Sequence, residues 1–567
     1  MKKFLLFLTV LSLLFCSVSF GEGEKGPVTL TCYISETGEA PAENNKIYRM
    51  IEEQFGLKFQ FEFLEGDMFE KIGRIASGAE DCPDLIMSMN GIPELIEAGK
   101  LLNLLDYISP EKTPRLWAHF EPWMYRLVRK DADGNDALYT VPCVNIYDGG
   151  QIATSVNGNA FYIQKQVLEW AGYPEIHTLD EYFDLIEAFL KENPKDENGE
   201  EYIGFSILDD DWRYAGLVNP VQFLMGRPYD GNVLVDLSSE DFHTETFIDK
   251  PYAKIYYKKL NEEYHKGVIA ENNFENDFEV YSNLIGSGRV LGVFDQGWNI
   301  QYGAMDLKDK GMPGHTYAAL GLTYSAEDLQ DVPLPFENRD LEEHYLNGSV
   351  PIADYGFGIS VNCSCPERIV AMWEEMMSDE WQLILNWGIK DEDYFIDDDG
   401  RLNMTREQAD QRGSTDWKPE NKADDLFNFS PKKQGYIMED IQLGSQTVAA
   451  GNTWSPSTQP ELVYMALDDY DKAFLDAYGY RTFADFFNPP AELPPYGEAW
   501  QLDYTPVADA YFEIDRIQRE RLPELITCDP EAFDGKWDAF AEEIGEYTKP
   551  YEEYMQTKIT ETMESLW

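Results

Sequence analysis

The residues best suited to hold a ligand are aromatic rings with an amide, carboxylate or guanidinium group close by in the chain. Trp298 follows Asp295 and Gln296, and Trp212 precedes Arg213. Asp354 adjoins Tyr355, Trp454 lies two residues beyond Asn452, and Tyr147 stands between Asn145 and Asp148. Ser35, Glu36 and Asn90 complete the set, in short polar turns that follow extended apolar runs. Aromatic faces pack on C–H surfaces, while the polar groups make directional and often bidentate hydrogen bonds. Together they suit a ligand with flat C–H faces and many hydroxyls. Trp373 and Trp537 recur with apolar neighbours at helical spacing and are assigned to the core.

Other chemistries lack their residues. No GxSxG, HExxH or Cys/His constellation is present, and no GxGxxG or GxxxxGK[ST] loop follows a strand. Six histidines are few for a metal site, and Cys363-Ser-Cys365 lacks the CxxC spacing. The loops Asn193 to Gly199 and Asp397 to Gly400 suggest calcium. Aligned on their glycines, they put Pro194 with Phe205, and Phe395 with Arg406, where calcium loops need acids. No metal or cofactor is expected. Two carboxylates at hydrolytic separation can arise by chance among 104 acidic residues, so a secreted glycoside hydrolase stays open, as does a binder of peptides or other polar solutes.

The elements that must position these residues read as alternating strands and helices. Val28 to Ile34, Leu57 to Phe63 and Asp84 to Met89 are extended, with helical stripes between them at Ile47, Ile51 and Phe55 and at Phe69, Ile72 and Ile75. Such alternation predicts a parallel sheet covered by helices, with ligands at the carboxyl ends of its strands. Leu138 to Val141 is extended, Pro142 stops it, a Gly/Asn-rich segment follows, and Ala160 to Ile163 is extended again. This is where one lobe hands the chain to another. Thr178 to Glu181 forms a capping box, so Thr178 is structural. Gly286 to Trp298 reads as a glycine-bounded strand ending in an aromatic, Gly356 to Val361 as a strand, and Glu380 to Trp387 as a helix stopped by Gly388. The region from Thr447 onward is helix-rich.

Composition sets the class. A chain of 567 residues with 43% hydrophobic and 14% aromatic content can bury more than one core. Its formal charge of −59, spread without long runs, repels nucleic acid and anionic lipid, so no nucleic-acid partner is expected. Lys2 and Lys3 precede the apolar run Phe4 to Phe15, which reads as an export signal. It ends either by cleavage after Gly21 or before a lipidated Cys16, although Phe15 is a poor residue just before a lipidation site. The six remaining cysteines are too scattered to form a disulfide framework.

Several segments, in order, resemble the extracellular solute-binding proteins of ABC importers. The resemblance is specifically to the large Gram-positive-type carbohydrate-binding lipoproteins of the maltose-binding-protein superfamily. They are Gly78 to Ile108, Tyr139-Thr-Val-Pro142 leading to Phe161-Tyr-Ile-Gln-Lys-Gln, Trp170-Ala-Gly-Tyr with Thr178-Leu-Asp-Glu-Tyr182, and Gly288-Arg-Val with Gly297-Trp298. Gly358-Ile-Ser-Val with Pro366-Glu, Trp387-Gly-Ile, Phe533-Asp-Gly-Lys-Trp537 and Tyr551-Glu-Glu-Tyr554 complete the series. The resemblance implies an α/β, periplasmic-binding-protein-like fold with two lobes joined by a multi-crossing hinge. Lobe I is expected over residues 27–145 and about 353–430, and lobe II over 155–345 and about 431–567, with the hinge near 142–160 and 346–356. It also implies a monomer that captures an oligosaccharide without chemistry and delivers it to the permease subunits of an ABC transporter, outside the cytoplasm, as a surface lipoprotein or a soluble protein.

Overall fold

The computed structural model describes residues 26–566 except 43, 89, 143–146, 149–153, 157, 211, 228–230, 336–340, 344–347, 350, 352, 354, 414–430, 434–436, 491–493 and 495. The export signal and Cys16 lie outside the described residues, as do Asn145 and Asp354. Tyr147 and Asp148 are described only as backbone, in a short strand paired antiparallel with Gly348 and Ser349.

The chain folds into two units and changes unit after Val144, Val350, Ile389, Ser414 and Lys432. The expected boundaries differ at residues 390–414, which group with the second unit. A physical reason is visible there: the Leu402 amide donates to Asn452 Oδ1 and the Ala449 amide to the Gly400 carbonyl, knitting this segment to a later hairpin.

Eight strands make the two main sheets: β1 (Val28–Ile34), β2 (Leu57–Phe63), β3 (Leu85–Ser88), β4 (Asn159–Gln164), β5 (Ile203–Ser206), β6 (Val290–Gln296), β7 (Tyr317–Leu320) and β8 (Gly356–Ile359). The first unit holds the order β8-β3-β1-β2. β1 runs parallel to β2 and β3, and β8 antiparallel to β3. The helices between β1, β2 and β3 start where polar caps dictate: Asn45 accepts from the Ile47 and Tyr48 amides, and Asp67 from Glu70. The first of them buries Ile47, Ile51 and Phe55, the stripe read from the sequence.

Leu138 to Val141 does not join a ladder. Only Val141 pairs, exchanging both backbone hydrogen bonds with Phe357 at 2.9 Å.

The second unit holds the order β7-β4-β6-β5, with β6 parallel to β5 and antiparallel to β4. Its core centres on Phe161 of β4, whose ring meets Tyr182 at 5.3 Å and Phe294 at 4.8 Å, both edge-on. Gly292 of β6 must be glycine: a Cβ there would lie 2.2 Å from Tyr182 Oη. Thr178 caps the helix Leu179–Glu192 through a complete capping box, and Trp373 and Trp537 are buried.

Candidate functional site

In the second unit, the carboxyl ends of β5 and β6 lie side by side because the two strands are adjacent and parallel. β6 delivers Asp295 and Gln296 and runs directly into the helix Gly297–Asp309. Trp298 is therefore in the first turn of a helix, not at the tip of a strand or loop as the glycine-rich sequence suggests. β5 leads into a loop bearing Trp212 and Arg213. That loop turns tightly, with the Arg213 amide donating to the Asp210 carbonyl at 2.8 Å. Asp210 Oδ2 in turn accepts from the Phe278 amide at 2.9 Å, tying the turn to the helix Phe278–Gly286.

The result is a paired aromatic surface. The Trp212 and Trp298 rings stack with centroids 5.7 Å apart and planes 22° from parallel, and Trp212 is 57% exposed. The Arg213 guanidinium lies 4.3 Å from the Trp212 ring centre and 4.4 Å from that of Phe278, a cation held against two aromatic rings. Five candidates that the sequence offers separately, Trp212, Arg213, Asp295, Gln296 and Trp298, thus share one edge of one sheet.

Asp295 is the anchor beneath this surface. Only 2% exposed, it accepts from Tyr281 Oη at 2.8 Å, from the Gln296 amide at 2.7 Å, and from Asn299 Nδ2 at 2.9 and 3.2 Å. Burial pushes its carboxyl up to about 6, against the pull of these donors and of the nearby Arg213 charge. Asp295 is thus a positioning group that fixes the start of the Trp298 helix. Phe278, Tyr281 and Asn299 escaped the sequence reading. Asn299 carries a local signal, four residues after Asp295, but Phe278 and Tyr281 are brought in only by the sheet order.

A second set lies at the corresponding edge of the first unit's sheet. Glu36 follows the end of β1 and Tyr355 precedes β8, and Tyr355 Oη donates to Glu36 Oε1 at 3.0 Å. Ser35 is buried, and its amide donates to the Met87 carbonyl at 2.9 Å. Asn90 is exposed beyond β3 and its carbonyl accepts from Ser88 Oγ.

Asn452 and Trp454 are corrected to structural parts. Asn452 is fully buried, with its side chain accepting from the Leu402 amide and donating to the Ala449 carbonyl. Trp454 is 5% exposed, with the Lys433 ammonium 5.0 Å from its ring centre. In the suspected calcium loop, Asp196 Oδ1 accepts from the Asn198 and Glu200 amides and so closes the turn itself. Among the described residues no group of three or more His, Cys, Asp or Glu side chains could hold a metal ion.

Comparison with solved structures places this architecture. The substrate-binding protein FusA of a Streptococcus pneumoniae ABC transporter, an EF-hand mutant in complex with fructo-nystose, superposes with a TM-score of 0.59. Its sequence is 16% identical, over 95% of this chain and 100% of FusA. The chain has a solute-binding-protein fold. An extracellular solute-binding protein from Bifidobacterium longum subsp. infantis gives a TM-score of 0.58 at 15% identity, covering 94% of this chain and 98% of that one. A solute-binding protein from the same species, associated with an HMO-binding ABC transporter, gives 0.53 at 14% identity, over 94% and 100%. No protein-family model and no curated protein sequence matches the chain. In this solute-binding-protein fold, the Trp212–Trp298 pair occupies the carboxyl edge of a lobe sheet, where open α/β sheets take their ligands.

Proposed function

We propose that this protein is the extracytoplasmic substrate-binding component of an ABC transporter, capturing an oligosaccharide and handing it to the membrane permease unchanged. The observation that carries the reading is the stacked Trp212–Trp298 pair beside Arg213 and Gln296, on the fold of FusA, whose structure holds a fructo-oligosaccharide. Sugar rings lay their C–H faces on the indoles, and the flanking polar groups take the hydroxyls. The Glu36–Tyr355 set is a further candidate ligand contact within the first unit. Closure of the two lobes by bending near residues 142–160 and 346–356 captures the ligand, and the closed form is what the permease recognises. Export by the N-terminal segment, with or without a lipid on Cys16, and a monomeric state belong to the same reading.

The test is a thermal-shift panel of oligosaccharides on the purified protein, followed by chromatography of the sugar. A rise in melting temperature with the sugar recovered intact is the expected result. Released reducing ends would establish a hydrolase instead. Trp298→Ala should weaken the best ligand by roughly 10-fold or more, the scale of one lost stacking contact. An unchanged shift in that variant removes the aromatic pair from the site.

A further inference from the structure

Among the described residues, Arg213 is a cation without an anion. The protein has 104 acidic residues against 45 basic ones, so an arginine side chain at a strand end would ordinarily find a carboxylate. Among the described residues none lies within ion-pair distance of Arg213, and its buried Nε has no hydrogen-bond partner. The acid whose charge it feels, Asp295, has both oxygens occupied by Tyr281, Asn299 and the Gln296 amide. Nor is the guanidinium loose, since its carbon lies 4.3 and 4.4 Å from the ring centres of Trp212 and Phe278. A rigid fork of N–H groups, left unpaired beside a stacking surface, is preorganised for a planar, two-oxygen acceptor.

We infer that the ligand of this site is an acidic saccharide whose ring carboxylate pairs with the unpartnered Arg213 guanidinium beside the stacked Trp212–Trp298 rings. The inference rests on the saccharide-binding reading and sharpens it. A neutral sugar would offer the guanidinium only single hydroxyl contacts, weaker than a charge-assisted bidentate pair. The local cation also answers the long-range repulsion that a chain of net charge −59 exerts on any anionic ligand.

The experiment compares matched probes by titration calorimetry on the full chain. Galacturonate, glucuronate and mannuronate oligomers are each tested beside their fully methyl-esterified forms, which keep rings and linkages and lose only the charge. At least one acid should bind, with its ester weaker by roughly 10- to 100-fold, the range for a charge-assisted hydrogen bond in a binding site. Arg213→Met should lose that same factor for the acid and under about 3-fold for the ester, and Arg213→Lys should fall between. Melting temperatures without ligand show whether the variants are folded, and Arg213→Gln repeats the test if Met perturbs the loop. Equal affinity for acid and ester, or an equal loss of both in Arg213→Met, overturns the inference. Binding of neutral fructo- or gluco-oligosaccharides but of none of the acids overturns it while leaving the saccharide reading intact. Binding of no saccharide overturns both.

Discussion

Replacing Asp295 with asparagine should remove a pH-dependent stability cost from the second unit. The Asp295 carboxyl is raised from 3.8 to about 6 by its burial. At about 1.4 kcal/mol per pH unit, ionising it in the folded protein costs about 3 kcal/mol more than ionising it in the unfolded chain. The sign follows from proton binding. Between pH 3.8 and about 6 the folded state holds more of this proton than the unfolded state, so stability falls as pH rises through that window and the cost is complete above it. Asparagine carries no such cost. Its single oxygen keeps the bond from Tyr281 and its NH2 meets Asn299 Oδ1 once Asn299 turns over, while the Gln296 amide loses its acceptor, a cost that does not vary with pH. The assay is urea unfolding of wild type and Asp295→Asn at steps from pH 4 to pH 7. The quantity read is the difference between them, so that the contributions of the other acids cancel. That difference should move in favour of the variant by about 2.4 kcal/mol across the range. A difference independent of pH would refute the argument that Asp295 is held as a desolvated carboxylate.

Gly292→Ala should destabilise the second unit by about 1–3 kcal/mol, the cost of overpacking, because the new methyl meets Tyr182 Oη at 2.2 Å and Ile186 Cδ1 at 2.9 Å; a melting temperature equal to wild type would contradict this. Lys165 and Asp471 form an ion pair at 2.5 Å with 3% and 1% of their side chains exposed, and Lys308 also reaches Asp471 at 2.9 Å. Burial works to raise the Asp471 carboxyl, but Lys165 and Lys308 hold it below its usual range. Asp471→Ala should cost about 3–5 kcal/mol in chemical denaturation, since it strands the Lys165 charge, and a loss below about 1 kcal/mol would show that water or a rearranged partner reaches it.

The sequence was legible where a structure is written locally. Thr178 announces a helix start by a side chain that reaches only three residues ahead, and it does so in the fold. Leu138 to Val141 reads as a strand by composition but pairs at one residue, and no property of those four residues announces that. In the site, Trp298 and Trp212 were visible as aromatics beside polar groups, but 86 positions separate them, and only the parallel pairing of β5 with β6 puts their rings together. Asn452 misled for the opposite reason: an amide near a tryptophan looks the same whether its partners are a ligand or backbone groups 50 residues away.

The chemistry of the second unit's edge separates holding from binding. Asp295 is costly to bury, yet it takes up three donors from β6, from the helix Phe278–Gly286 and from the helix Gly297–Asp309, so the elements carrying Phe278 and Trp298 are fixed against one another. A neutral asparagine has a single acceptor oxygen, so it removes the charge but gives up the hydrogen bond from the Gln296 amide. What it would not supply is the negative charge whose attraction to Arg213 helps hold the Asp295 carboxyl down against burial. A contact ion pair would have done this more strongly, and would have left nothing for a ligand to gain. With its oxygens taken by Tyr281, Asn299 and the Gln296 amide, Asp295 makes no hydrogen bond to Arg213. The variant therefore carries a second consequence. Asp295→Asn should bind an acidic saccharide more tightly than wild type, since the buried charge no longer repels the incoming carboxylate. Weaker binding with the fold intact would show that the placement of the Trp298 helix, and not the charge, is what Asp295 contributes.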